Sequence, residues 1–316
     1  MRTVPTRGDV GGVVPAMSSI LPPWLRGRRV MPYLLILPSV IALVSLIIYP
    51  MYFSLRNSFY LWNLQTSPVP LMFVGTQNYR SVFTVTPFLD ALRNTLVLSF
   101  GGTFIQFWFG LAIALLLNTH LRGMSTARVL LILPTTIAPI VVGFLFRYMY
   151  YEGSGLITWM LTSVGVPVPA VGLLGSANTA LAAIALADIW QWTPFFAIVL
   201  YAGLLSIPDD ILEAARVDGA SGWQLFSRIT FPLIWRTAVV VIMIRFMQLF
   251  NMFDLVLVLT RGGPGTSSRT LSYNLYLEGL QNYNIGVAAA MTWIIVILVT
   301  IIVNIYILIA FRNMEW

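Results

Sequence analysis

Two polar stripes interrupt otherwise apolar runs of this sequence. Asp188, Gln191, Trp192 and Phe195 are spaced i, i+3, i+4 and i+7, and so are Arg245, Gln248, Leu249 and Met252. At 3.6 residues per turn, each set shares one helix face. Charged and amide groups are costly inside an apolar helix, so their presence points to a site. The chemistry on offer is binding. Aromatic rings present flat apolar faces, while carboxylate, amide and guanidinium groups exchange hydrogen bonds with a ligand. A second reading of the same residues stays open: Asp188 and Arg245 pair with one another between two helices. Asn251 and Asp254 likewise either hold helices together or close a gate.

Catalytic chemistry has little to work with. Cysteine is absent, which excludes disulfides, thiol nucleophiles and iron–sulfur clusters. The single histidine, His120, borders an apolar run beside Arg122 and reads as a solvated loop residue, because a metal site needs several convergent ligands. An enzyme working inside a membrane needs a paired set, such as Ser with His or two Asp, and one buried aspartate does not supply it. The net charge of +7 comes from 18 arginines scattered between apolar runs, with no basic face for a nucleic acid.

The elements that carry these stripes belong in a membrane. Hydrophobic residues make up 58% of the chain and charged ones 9%, against about 25% charged in a soluble domain. So few charges leave an apolar exterior that lipid, not water, must cover. About 20 apolar residues cross the hydrocarbon core, and six runs qualify: 34–53, 92–117, 127–150, 179–205, 233–259 and 286–311. The expected architecture is all-α and polytopic, with residues 1–30 a disordered cytoplasmic terminus and 31–316 the transmembrane domain. Arg26, Arg28 and Arg29 precede a first run too long for a cleaved signal, which reads as an uncleaved anchor; Met17 and Met31 are alternative starts. Pro38, Pro134, Pro139 and Pro194 fall inside spans and predict kinks. Most Trp and Tyr residues read as interfacial belts, which leaves Trp190 and, more so, Trp192 as ligand candidates.

Arginine placement sets the orientation. With the N-terminus inside, eleven arginines fall on cytoplasmic segments and six on outer ones, so both termini are expected in the cytoplasm. The longest polar connection, 206–232, then lies inside. Pro208 with Asp209 and Asp210 predicts a short helix start, Gly219 and Gly222 predict its break, and Pro232 opens the next span. Outside, Gly262-Gly263-Pro264-Gly265 is a tight-turn signal; no Walker-type Lys-Ser/Thr follows to make it a phosphate cradle.

Within the inner loop, Glu213-Ala214-Ala215, Gly219 and Ile229-Thr230-Phe231-Pro232 stand at the spacing of the EAA loop of binding-protein-dependent ABC importers, EAA-x3-G-x9-I-x-LP. Phe231 replaces the usual leucine, an apolar exchange. Further stretches resemble the carbohydrate branch, and the first permease subunit of maltose-type systems in particular: Val74-Gly75-Thr76-Gln77-Asn78-Tyr79, Asn94-Thr95, Gly203-Leu204-Leu205-Ser206-Ile207-Pro208, and Phe253-Asp254 through Leu259-Thr260-Arg261-Gly262-Gly263-Pro264. The resemblance runs from about residue 31 to the C-terminus.

The resemblance implies a type I importer permease fold in the bacterial inner membrane. It also implies a second permease subunit as heterodimer partner, two ATPase subunits and an extracytoplasmic sugar-binding protein. No cofactor is expected on this chain, which is not itself an enzyme; ATP and Mg belong to the partner ATPases. Glu213, Ala214, Ala215, Asp218 and Gly219 would couple to an ATPase. The two stripes stand where maltose-type permeases present sugar contacts, which implies a di- or oligosaccharide substrate. Two alternatives stay in view: the same architecture carrying glycerol phosphate or another polar solute, and an ion-coupled secondary transporter. The latter predicts internal repeats that are not evident here.

Overall fold

The computed structural model describes residues 31–119 and 123–312; the expected disorder of residues 1–30 and the surroundings of His120 and Arg122 lie outside the described residues. The chain divides after Arg56 into two units. The first carries one span. Helix α1 (Met31–Leu43) continues through Pro38 and a π-helical turn at Val44–Ile48 into α2 (Tyr49–Asn57). Tyr33–Asn57 thus forms 25 residues of apolar helix, with no residue of its most hydrophobic stretch buried. Ser45 donates its hydroxyl to the Ile41 carbonyl at 2.8 Å, so it needs nothing from lipid.

The second unit begins with a short antiparallel pair, β1 (Tyr60–Leu61) and β2 (Met72–Phe73), registered Tyr60 to Phe73. Asn78, on α3 (Gln77–Thr84), donates to the Ser58 and Tyr60 carbonyls at 2.8 Å each. Helix α4 (Phe88–Val97) passes through a π-helical turn at Leu98–Gly102 into α5 (Thr103–Leu117), a span of 30 residues. Helices α6 (Met124–Thr136) and α7 (Pro139–Met149) meet at 95°. After α8 (Leu156–Ser163) and α9 (Gly172–Gly175) comes α10 (Ala180–Leu205), 26 residues running unbroken through Pro194. Helices α11 (Asp209–Val217) and α12 (Gly222–Leu225) precede α13 (Phe231–Phe250). Helices α14 (Asp254–Leu259), α15 (Leu271–Tyr276) and α16 (Ile285–Phe311) complete the chain. All six expected spans are present among the described residues, the third as a broken pair.

The break has a local cause. A residue before proline is pushed out of the α region, and Ala138, preceding Pro139, sits at φ −60°, ψ 136° with Ile137 extended beside it. Pro139 then opens α7, where its missing N–H costs nothing.

Three apolar clusters hold the second unit together. Helix α10 supplies Ala183, Ile184 and Ala187 to one and Phe196, Leu200 and Leu204 to the next. Helix α13 supplies Ile234, Ala238 and Val241 to that second cluster, and Phe246 and Phe250 to the third. A polar layer falls where the clusters meet, at Asp188 and Gln191 on α10 and Arg245 on α13. Helix α5 reaches α10 through Gly110, where an added Cβ would collide with the Cβ of Phe196 and lie 3.1 Å from the Ala197 nitrogen. The C-terminal half of α16 turns Ile297, Ile301, Ile305, Leu308 and Ile309 outward, as a lipid-facing surface does.

The glycine-rich outer loop is folded and pinned. Asn94 on α4 donates to the Thr266 and Arg269 carbonyls at 2.9 and 3.0 Å, and Thr95 accepts the Leu271 N–H at 2.9 Å. Thr270 donates to the Met252 carbonyl at 2.9 Å, tying the loop to the end of α13.

Candidate functional site

Arg245 is 2% exposed, Asp188 4%, and Gln106 on α5 fully buried. Burying two charges is tolerable only when they are paired and their remaining sites are satisfied, and here they are. One guanidinium nitrogen, Nη2, reaches both Asp188 oxygens, at 2.7 and 2.5 Å. Arg245 Nε donates to Gln106 Oε1 at 3.1 Å and Nη1 to Gln248 Oε1 at 3.0 Å. Gln106 Nε2 in turn donates to Asp188 Oδ2 at 2.6 Å. The guanidinium carbon stands 4.7 Å from the Trp192 ring centroid, a cation–π distance. Three helices, α5, α10 and α13, therefore meet at one closed polar network. The pairing of Asp188 with Arg245, left open by the sequence, is present.

A second polar link reaches the helix break. Gln191, fully buried, donates Nε2 to the Ile137 carbonyl at 2.8 Å. That carbonyl has no continuing helix to receive a bond from, and an unsatisfied one at membrane depth costs several kcal/mol. A cleft of about 180 Å³ adjoins these groups, lined among others by Pro139, Gln191, Trp192, Gln248, Asn251 and Asp254. Asn251 and Asp254 are exposed to it. The Asn251 amide bonds back to its own helix, at the Met247 carbonyl, so it does not join two helices.

The structure brings Asp188, Gln191, Trp192, Arg245, Gln248 and Met252 to the cleft, with Asn251 and Asp254. It does not bring Phe195 or Leu249. Phe195 packs edge-on against Trp192 and against the second apolar cluster, and Leu249 is buried in the first cluster against Gly102. Helical spacing alone does not separate them from the lining, since Trp192 at i+4 and Met252 at i+7 do reach the cleft; neighbouring helices cover Phe195 and Leu249 instead. Trp190 packs on Phe146 with centroids 5.4 Å apart, away from the lining. Sequence reasoning missed Gln106. Ser99, Thr103 and Gln106 repeat the same i, i+4, i+7 stripe in the second span, and that signal would have found it.

The inner loop forms a compact helical turn. Asp209 and Asp210 occupy the first turn of α11 and Arg216 the last, each matched to the helix dipole. The Ala220 N–H bonds to the Ala215 carbonyl and the Gly219 N–H to that of Arg216, with Gly219 at φ +82°, so the helix closes in a Schellman turn. Gly222 does not break the segment: it opens α12, whose start is fixed by reciprocal bonds between Ser221 and Gln224. A π-helical turn at Phe226–Thr230 leads on to α13, with Pro232 in its first turn. Glu213, Ala214 and Asp218 are exposed, whereas Ala215 turns inward onto this chain. Ile211, Val217 and Trp223 stand exposed beside them, Val217 at 87%.

Residues 106–315 match the protein family described as "Binding-protein-dependent transport system inner membrane component". The chain is 35% identical over 276 residues to the trehalose/maltose transport system permease protein MalF of Thermococcus litoralis, covering 85% of this chain and 91% of that one. It is 30% identical over 285 residues to the trehalose transport system permease protein SugA of Mycobacterium tuberculosis, covering 89% and 88%. Among solved structures, it resembles a chain of a bacterial alginate ABC transporter in complex with an alginate pentasaccharide-bound periplasmic protein, with TM-score 0.76, 25% identity and coverage of 90% and 95%.

Proposed function

The chain belongs to the family of binding-protein-dependent transport system inner membrane components, and from that premise we propose that it forms half of the translocation pathway of an ATP-driven importer of neutral di- or oligosaccharides. It pairs with a second, different permease subunit. Two ATPase subunits bind the inner face, and an extracytoplasmic sugar-binding protein delivers the cargo. Both termini face the cytoplasm of a bacterial cell, as the arginine distribution favours.

The observation that carries the sugar reading is the cleft itself. Trp192 offers a ring for the C–H face of a pyranose, and Gln191, Gln248 and Asn251 offer amides for hydroxyls. Asp188 and Arg245 cancel one another, and Asp254 leaves the lining formally negative. That balance repels a phosphate-bearing solute and favours a neutral polyol over glycerol phosphate. At about 180 Å³ the cleft is below the roughly 300–1,000 Å³ of ligand pockets, so it must widen to take cargo.

The inner loop supplies the coupling. Exposed Glu213 and Asp218, with the apolar Ile211, Val217 and Trp223, make an amphipathic surface suited to a groove on an ATPase. Rigid-body motion there passes directly into α13, because α12 leads into it through helical turns alone. Ala214 allows close approach of the partner, and Ala215 allows close approach of α11 to its own chain.

Affinity purification of the chain in mild detergent, with assay of ATPase activity, tests this reading. A co-purifying second permease and an ATPase stimulated by a sugar-loaded binding protein support it. Recovery as a monomer or homo-oligomer without ATPase counts against the proposed assembly.

A further inference from the structure

We propose that Gln191 reads a hydroxyl of the cargo and transmits its presence to the break between α6 and α7. This inference rests on the cleft being the transport site. Of the residues lining the cleft, Gln191 is the one, among the described residues, with a buried side-chain polar atom that has no partner: its Oε1. The orientation of the amide is fixed by chemistry. The Ile137 carbonyl can only accept, so the nitrogen must face it, and the oxygen is left over. None of the neighbouring polar groups bonds that oxygen in the structure: Arg245, Gln106 and Asp188 are engaged with one another, and Gln248 turns its own Oε1 to Arg245.

An orphaned, fully buried amide oxygen is unfavourable, and a sugar hydroxyl donating to it relieves that cost. The relief has a structural address. Hydroxyl, Gln191 amide and Ile137 carbonyl form a chain of hydrogen bonds in which each bond polarises the next. The carbonyl at its end belongs to the extended pair, Ile137 and Ala138, that makes the 95° bend. Helix α7 beyond the bend packs on α14 through Gly143, where an added Cβ would lie 2.9 Å from Val258, and Arg147 donates to the Val258 carbonyl at 3.2 Å. Helix α14 begins at Asp254, on the cleft. Cargo bound at Gln191 thereby fixes the bend and, through α7, the α14 side of the cleft as well. An empty cleft leaves the bend less constrained.

The test uses the complete transporter in proteoliposomes, with maltose and trehalose and their monodeoxy analogues as probes. Because the chain has no cysteine, spin labels can be placed at Leu130→Cys on α6 and Leu145→Cys on α7, both exposed. In the unsubstituted protein, one monodeoxy analogue should lose ~10-fold in kcat/KM, the worth of about one net hydrogen bond. Sugar-loaded binding protein should also narrow the distance distribution across the bend. Gln191→Leu and the length-matched Gln191→Met should abolish both the discrimination and the narrowing. Retention of both in a folded Gln191 variant overturns the inference. If Trp192→Ala still raises KM in that case, the cleft stands and only the role of Gln191 falls. If neither sugar is carried by the unsubstituted transporter, or no cleft variant alters transport, the cargo reading beneath it falls instead.

Discussion

Arg245 straddles Asp188: a single guanidinium nitrogen lies 2.7 Å from Oδ1 and 2.5 Å from Oδ2, with both residues at most 4% exposed. Removing one partner strands the other charge, which typically costs about 3–5 kcal/mol, whereas removing both together is far milder. Arg245→Met and Asp188→Leu should each lower the melting temperature in detergent sharply. The double variant should recover most of that loss while still failing to transport. A double variant as unstable as either single one would show that the two residues contribute by packing and not by pairing.

Trp192 presents its ring to the Arg245 guanidinium and lines the cleft at once. A desolvated cation–π contact and a stacked pyranose are each worth about 1–2 kcal/mol. Trp192→Ala should therefore raise KM for the transported sugar ~10-fold or more, since 1.4 kcal/mol corresponds to tenfold. Trp192→Phe should recover most of the affinity. Uptake kinetics in proteoliposomes decide it, and equal KM values for all three proteins would remove the ring from the site.

Gly219 holds φ +82° with open space where a Cβ would go, so backbone strain alone opposes substitution. Gly219→Ala should cost about 1–2 kcal/mol of local stability, loosening α11, while Gly219→Asn, which tolerates that conformation, should be nearly silent. Glu213→Ala should leave membrane insertion and yield intact but abolish stimulation of ATP hydrolysis by sugar-loaded binding protein. Stimulated hydrolysis at the normal rate in Glu213→Ala would break the link between this loop and the ATPase.

Asn94 uses both amide hydrogens on carbonyls of the outer loop, those of Thr266 and Arg269. Asn94→Ala should strand them at about 1–3 kcal/mol. Hydrogen exchange should then quicken across residues 260–271 and leave α10 unchanged. Unaltered exchange in that segment would mean that Thr95 and Thr270 suffice to pin it.

Much of this architecture was legible in the chain, for local reasons. Apolar runs of spanning length leave few alternatives, and the inner loop carries its own cap, turn and dipole chemistry within a few residues. Asp188 and Arg245 declared themselves as polar groups in apolar surroundings. Their environment did not, because it is assembled across three helices: Gln106 bridges them from 82 and 139 residues away. Leu249 and Phe195 share the two stripes but not the cleft, because helical spacing fixes a face and not how much of that face a neighbouring helix covers. The prolines at 134 and 139 announced a bend. The right angle between α6 and α7 needed the extended pair Ile137 and Ala138, and a side chain from α10 to receive the carbonyl that the bend releases.

Gly110 bears on how the molecule can move. With no side chain between them, α5 and α10 touch main chain to main chain near Phe196, a contact that resists sliding and rolling alike. These two helices should travel as one lever. The Arg245 end of α13 is tied to them by a fork of polar bonds, with Leu249 seated in the apolar cluster one turn further on. Any displacement of α13 against the α5–α10 lever during a transport cycle must therefore break the ion pair and unseat Leu249 together.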